Sequence, residues 1–139
     1  MEVCLVLRLN IMRKNNTAMY VNIQNRMIVD HSFKLGYLFC ITISDLKEIV
    51  SSLKSSKYDQ IEEGKIIDLA KRFIFIEKHF RKLHFYNSIS DDDLKHVIPF
   101  LEESKAILNE AASELSKNSK LTTEKVGSIE KLLKDMMDY

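Results

Sequence analysis

The chain has 139 residues, of which 45% are hydrophobic and 29% are charged, and its formal net charge is +1. This length favours one domain, over residues 1–139, and the near-neutral charge argues against a uniformly basic nucleic-acid-binding protein. Only three glycines and one proline are present, so the sequence favours few turns and long helices.

The charge is unevenly distributed along the chain. Residues 1–58 carry eight Lys/Arg and four Asp/Glu, a net +4, whereas residues 90–139 carry seven and eleven, a net −4. Either the packed elements complement each other or one end attracts a charged partner. Cys4 and Cys40 lie in apolar runs and are expected to be buried and reduced. No signal peptide is evident and the longest apolar run, 37–43, is too short for a bilayer, so we expect a soluble cytoplasmic protein with no membrane partner.

Residues 1–44 differ in pattern from the rest of the chain. Met19, Val21 and Ile23 repeat every second residue, and residues 37–44 are rich in aromatic and β-branched side chains. Both features are typical of strands and predict a small N-terminal β-hairpin or mixed element. The alternative is one long N-terminal helix, because Met19, Ile23 and Met27 are also four residues apart.

The periodicity becomes helical from Asp45 onward. Asp45 and Glu48 have capping-box spacing and predict a short helix over 45–54. Asp59 and Glu62 repeat this spacing and predict a helix over about 60–86. The apolar residues of this second helix follow steps of three and four, which is the pattern of a bundle helix: Ile66, Leu69, Phe73, Ile76, Phe80 and Leu83, widened by Ala70 and Ile74.

Two further helices are predicted, over about 91–117 and 123–138. Ser90 followed by three aspartates is a strong N-cap signal, and Thr122 caps the last helix. Pro99 should either kink the helix over 91–117 or mark the start of a new one. The predicted fold is therefore mainly α: an antiparallel helical bundle with a small N-terminal β-hairpin or mixed α+β element.

The helix over 60–86 has a basic outer side. Lys71, Lys78 and Lys82 fall together on a helical wheel, with the aromatic Phe75 beside them. This lysine stripe is either an ordinary solvent-facing surface or a surface that contacts phosphates, with Phe75 available for base stacking.

Two ionisable residues of the same helix lie on one line within its apolar arc, and a third lies beside them. Glu77 and His84 are seven residues apart, and Arg81 follows Glu77 by four. They form either a satisfied polar patch or a carboxylate–histidine site that faces a groove. No metal-ligand spacing is present, so neither a metal nor another cofactor is predicted.

Arg72 and His79 bound the segment RFIFIEKH. An arginine and a histidine at this spacing resemble the RNA-cleaving motif of HEPN domains, which are small helical nucleases. The resemblance covers these eight residues, and Phe73 stands where the family usually has a polar residue. It implies that Arg72 would position a phosphate and that His79 would act as general acid or base, with two subunits facing each other across a dimer.

The leading functional prediction is a non-catalytic interaction or regulatory protein. The helix over 60–86 has more apolar positions than one bundle partner must cover, since Ile67 and Phe75 lie outside its apolar seam. We expect a helical surface that binds a protein partner or a second copy, most simply as a homodimer, and predict no catalytic residue for it. The alternative is nucleic-acid binding by the lysine stripe, with or without cleavage at Arg72 and His79.

Overall fold

The computed structural model describes residues 19–55 and 63–138, which contain four helices and no strand. These are α1 (Met19–Lys54), α2 (Glu63–Phe85), α3 (Asp91–Asn118) and α4 (Thr123–Asp138). The mainly α prediction is confirmed for this part of the chain. None of the four helices is long and apolar enough to cross a lipid bilayer.

Helix α1 corrects the prediction for the first part of the chain. The prediction of strands is wrong for residues 19–44, which form one continuous helix with residues 45–54. The part of the predicted hairpin before Met19 lies outside the described residues. Asp45 does not cap a new helix, because it lies inside α1 and its carboxylate accepts a hydrogen bond from Arg72 instead.

Helix α2 follows its predicted pattern closely. All six residues of the predicted apolar seam are buried, and so is Ala70. Ile74 was expected to widen this buried stripe, but it lies on the outside with 55% of its surface exposed. The predicted cap residues Asp59 and Glu62 lie outside the described residues.

Helices α3 and α4 begin where the caps predicted. The Ser90 hydroxyl accepts a hydrogen bond from the Asp93 amide, and the Asp93 carboxylate accepts one from the Ser90 amide. Two backbone amides without a partner in the helix are thereby hydrogen-bonded. The three carboxylates of the first turn interact favourably with the positive N-terminal end of the helix dipole. Pro99 lies within a continuous α3, so no new helix begins there. The Thr122 hydroxyl accepts from the Lys125 amide at 3.3 Å.

In the contacts between successive helices, residue numbers rise along one helix as they fall along the other. Between α1 and α2, His31 meets His79 and Asp45 meets Arg72, and Gln24 meets Tyr86 just after the end of α2. Between α2 and α3, Glu77 meets Lys105 and His84 meets Asp91. Between α3 and α4, Glu110 meets Lys125 and Glu114 meets the amide of Thr122. Helix α4 also contacts α1, where Lys54 lies 3.8 Å from Glu130.

One buried cluster of apolar side chains includes residues from all four helices. Its largest fully buried members include Phe39 of α1, Phe73 of α2, Leu108 of α3 and Ile129 of α4. The rings of Phe39 and Phe80 meet edge to face, with centroids 6.2 Å apart. This core fixes the register between α1 and α2, and that register decides which polar side chains meet along their seam.

Candidate functional site

The seam between α1 and α2 carries a row of polar contacts near the protein surface. The Gln24 side-chain amide donates to the carbonyl oxygen of Tyr86 at 2.9 Å. Further along, the His31 and His79 rings meet, and beyond them Arg72 donates to Asp45 at 2.7 Å. We call this row the α1–α2 seam. It contains Arg72 and His79, the two residues that carry the resemblance to HEPN domains.

The two histidines of the seam are joined through their Nδ1 atoms, which are 2.9 Å apart. One Nδ1–H must therefore donate to the unprotonated Nδ1 of the other ring, and only one proton fits between them. His31 is buried, and its ring also stacks on Tyr86 with centroids 6.2 Å apart. His31 is thus held both by His79 of α2 and by Tyr86, the residue that follows α2.

The surroundings of this pair disfavour positive charge. Burial lowers the pKa of His31 below its ordinary value of 6.5, and Lys34, Lys82 and Lys78 lower it further, against the opposing effect of Asp30. Burial also lowers the pKa of His79, with added repulsion from His31, Lys34 and Lys78. Asp30 itself is engaged by Lys34 at 3.0 Å. Both rings are therefore expected to be neutral at pH 7.

These lowered pKa values predict that the protein loses stability on mild acidification. The unfolded chain binds protons near pH 6.5 while the folded pair still resists them, so the free energy of unfolding should fall as the pH drops below 6.5. Denaturant unfolding at pH 7.5 and 5.5 measures this fall. The fall in unfolding free energy should be smaller in the double variant His31→Gln/His79→Gln. It should be unchanged in the control His96→Gln, which replaces an exposed histidine. An equal fall in the double variant would contradict the prediction.

Arg72 and Asp45 lie at the other end of the seam, beside a surface depression of about 210 Å³. The depression is lined by three carboxylates and two cations, namely Asp45, Glu48, Asp68, Lys65 and Arg72, together with Ile49, Ser52 and Leu69. The side chain of Arg72 is 22% exposed, and Asp45 holds its guanidinium. Arg72 and His79 are thus both directed at α1, but each has a different partner there.

The lysine stripe faces solvent as predicted. Lys71, Lys78 and Lys82 are all exposed, and Phe75 among them is 55% exposed. Phe75 follows Arg72 by three residues and precedes His79 by four, so it lies on the side of α2 that borders α1. The stripe and the seam are therefore neighbouring parts of one surface.

Glu77, Arg81 and His84 lie near α3 and have different contact partners. Arg81 donates to Glu77 at 3.2 Å, and Lys105 of α3 lies 4.0 Å from the same carboxylate. His84 instead meets Asp91 at the start of α3, with 2.5 Å between Nε2 and Oδ1, and this hydrogen bond lowers the pKa of Asp91. The three residues border the contact between α2 and α3.

Two features of the seam were not apparent from the sequence. His31 is next to Asp30, a pairing too common to carry weight, and Lys34 stood in no recognisable motif. Their role depends on the register between two helices that sequence periodicity does not fix. Cys40 is exposed, so the prediction that it is buried is wrong, while Cys4 lies outside the described residues.

Within residues 19–55 and 63–138, no group of three or more His, Cys, Asp or Glu side chains is arranged to hold a metal ion. Comparison of the chain with protein families, curated proteins and solved structures finds no match.

Proposed function

We propose that this chain is a non-catalytic interaction protein, of regulatory type, that associates with a second copy of itself through the outer surface of α1 and α2. The proposal includes the antiparallel bundle predicted from the sequence. The opposite residue order of the contacts between successive helices supports that arrangement. Short connections between helices favour it as well.

The apolar surface of α1 is the observation that carries this proposal. Five large hydrophobic residues of α1 between positions 23 and 37 are exposed: Ile23, Met27, Val29, Phe33 and Tyr37. Phe33 and Tyr37 have 66% and 65% of their surface exposed. A helix that is apolar on its outer face as well as its core face is typically buried in an assembly.

Helix α4 is too short to cover this part of α1. At 1.5 Å per residue, the 36 residues of α1 extend about 54 Å and the 16 residues of α4 about 24 Å. Glu130 lies beside Lys54 at the C-terminal end of α1, and α4 extends only about 12 Å beyond Glu130. Tyr37 is about 25 Å from Lys54 along the helix, so α4 does not reach it.

A measurement of molar mass tests the proposal directly. Sedimentation or light scattering over a range of concentrations should give a mass twice that of the chain, because closed two-fold dimers are the commonest outcome of self-association. A monomer at every concentration up to about the millimolar range would contradict it. Substitution at Phe75, argued in the Discussion, identifies the surface.

Nucleic-acid binding is the second candidate, and the exposure of all three stripe lysines beside Phe75 favours it. Lys71→Gln/Lys78→Gln/Lys82→Gln should weaken binding of a single-stranded RNA and reduce the slope of log affinity against log salt by about two, since each phosphate contact on a single strand contributes about 0.7. Fluorescence anisotropy at several salt concentrations measures both. The control is Lys117→Gln/Lys131→Gln/Lys134→Gln, three exposed lysines of α3 and α4. Equal effects of the two triple variants would exclude a specific role for the stripe.

Cleavage of RNA by Arg72 and His79 stays a prediction that rests on the resemblance of RFIFIEKH alone. In the seam Arg72 holds Asp45 and His79 holds His31. A phosphate would have to displace both α1 side chains before it could bind the two residues together.

A further inference from the structure

The outer face of α1 carries a row of seven positions at steps of three and four residues. The inward-facing positions of α1 are the half-buried Gln24 and the buried Ile28, His31, Leu35, Phe39, Thr42 and Leu46. Two residues after each of them, about 200° around the helix, lie Arg26, Asp30, Phe33, Tyr37, Ile41, Ser44 and Glu48. We call these seven residues the outer row. Six of them are exposed, and Ile41 is half-buried.

The spacing of the outer row is symmetric about Tyr37. Its members lie four, seven and eleven residues before and after Tyr37. A symmetric row of this kind can pair with an identical row that runs in the opposite direction, because a two-fold axis brings each position opposite its counterpart. Steps of three and four keep the row on one side of the helix, and its 11-residue repeat is one by which two helices can pack side chains along a continuous line.

We infer that the outer row of α1 forms the interface with a second copy, with the two α1 helices antiparallel and the two-fold axis at Tyr37. This inference rests on the proposed self-association and specifies its geometry. Tyr37 then meets Tyr37 of the second copy, Phe33 meets Ile41 and Asp30 meets Ser44. Arg26 meets Glu48 at each end, so the apolar contacts lie at the centre and the charged contacts at the rim.

Charge complementarity selects this arrangement over its alternatives. Symmetry forms the Arg26–Glu48 contact twice, once at each end. Parallel helices in register would instead set Arg26 against Arg26 and Glu48 against Glu48, with repulsion at both ends. Moving the axis from Tyr37 to Phe33 would set Arg26 against the thiol of Cys40 and leave Glu48 with no counterpart in the row. The outer row spans 23 residues, about 34 Å, which is ample for a helix pair.

A charge swap tests the register. Arg26→Glu and Glu48→Arg each turn two attractive contacts into two repulsive ones, so each should weaken self-association about tenfold. Arg26→Glu/Glu48→Arg restores opposite charges and should return the dissociation constant to within about threefold of the original. Lys117→Glu, a charge reversal on an exposed residue of α3, is the matched control and should have little effect. A double variant no tighter than the single ones would overturn the inference.

A cross-link tests the axis independently. Tyr37→Cys, made in a chain that also carries Cys4→Ser and Cys40→Ser, should form a disulfide between two copies under mild oxidation, because residues at a two-fold axis face each other at bridging distance. Ser116→Cys on α3 is the exposed control and should remain unlinked. A dimer that links no faster through Tyr37→Cys than through Ser116→Cys would overturn this geometry and leave self-association standing. A monomer in every measurement would overturn both.

Discussion

Phe73→Ala is expected to lower the free energy of unfolding by about 3–5 kcal/mol, because it removes a large buried side chain and leaves a cavity that the surrounding core fills only in part. Phe73 is fully buried, with 0% of its surface exposed, and belongs to the seam of α2 that packs against the other helices. A small domain has a total stability of about 5–15 kcal/mol, so this loss would bring the protein near its unfolding threshold.

Phe85→Ala is the matched control for this prediction. Phe85 lies on the same helix and loses the same atoms, but 72% of its surface is exposed. Its loss removes a contact with Tyr86 and one with the Lys82 ammonium, so we expect a change of about 1 kcal/mol or less. Urea unfolding of both variants at one protein concentration gives the comparison. Similar losses for the two would mean that Phe73 is not in the core.

The sequence predicted α2, α3 and α4 well because their local and tertiary signals agree. The apolar residues predicted to form the core face of α2 follow steps of three and four, from Ile66 to Leu83, and all six of them are buried. Ser90 and Asp93 form the capping box that begins α3, and Thr122 caps α4. When caps and periodicity mark the same boundaries, local physics suffices to place a helix.

Helix α1 was more difficult because its apolar residues cover more than one face. Met19, Val21 and Ile23 fit a strand period while Met19, Ile23 and Met27 fit a helix period, and short-range patterns do not separate these cases. The β-branched and aromatic residues near Phe39 added weight to strands. The surplus of apolar residues that obscured the period is the same feature that the proposed interface explains.

Contacts between α1 and α2 could not be predicted from the sequence. Asp45 has the spacing of a cap residue, but within a continuous helix its carboxylate is free to accept from Arg72, which is 27 residues away. His31 and His79 are 48 residues apart and meet only because the core sets the register of the two helices. The sequence marks Asp45, Arg72 and His79 as notable residues, but it gives no means to assign their partners.

Phe75→Glu is expected to weaken self-association about tenfold, because it replaces an exposed aromatic side chain at the edge of the interface with a charge. Phe75 lies between Arg72 and His79, whose partners on α1 are Asp45 and His31. The opposite order of these contacts places Phe75 beside the stretch of α1 between them, which includes Tyr37. A charge at position 75 therefore enters the edge of the proposed interface.

Ile74→Glu provides a closely matched control for Phe75→Glu. Ile74 is also 55% exposed, but it precedes Glu77 by three residues and so lies on the side of α2 that borders α3. The same charge placed there should leave the dissociation constant within about threefold of the original, while circular dichroism shows both variants folded. Equal weakening by the two substitutions would indicate a general loss of solubility or fold, and no weakening by Phe75→Glu would remove α2 from the interface. Selective weakening by Phe75→Glu would place the contact where α1 and α2 meet, since neighbouring residues of one helix differ only in the side they face.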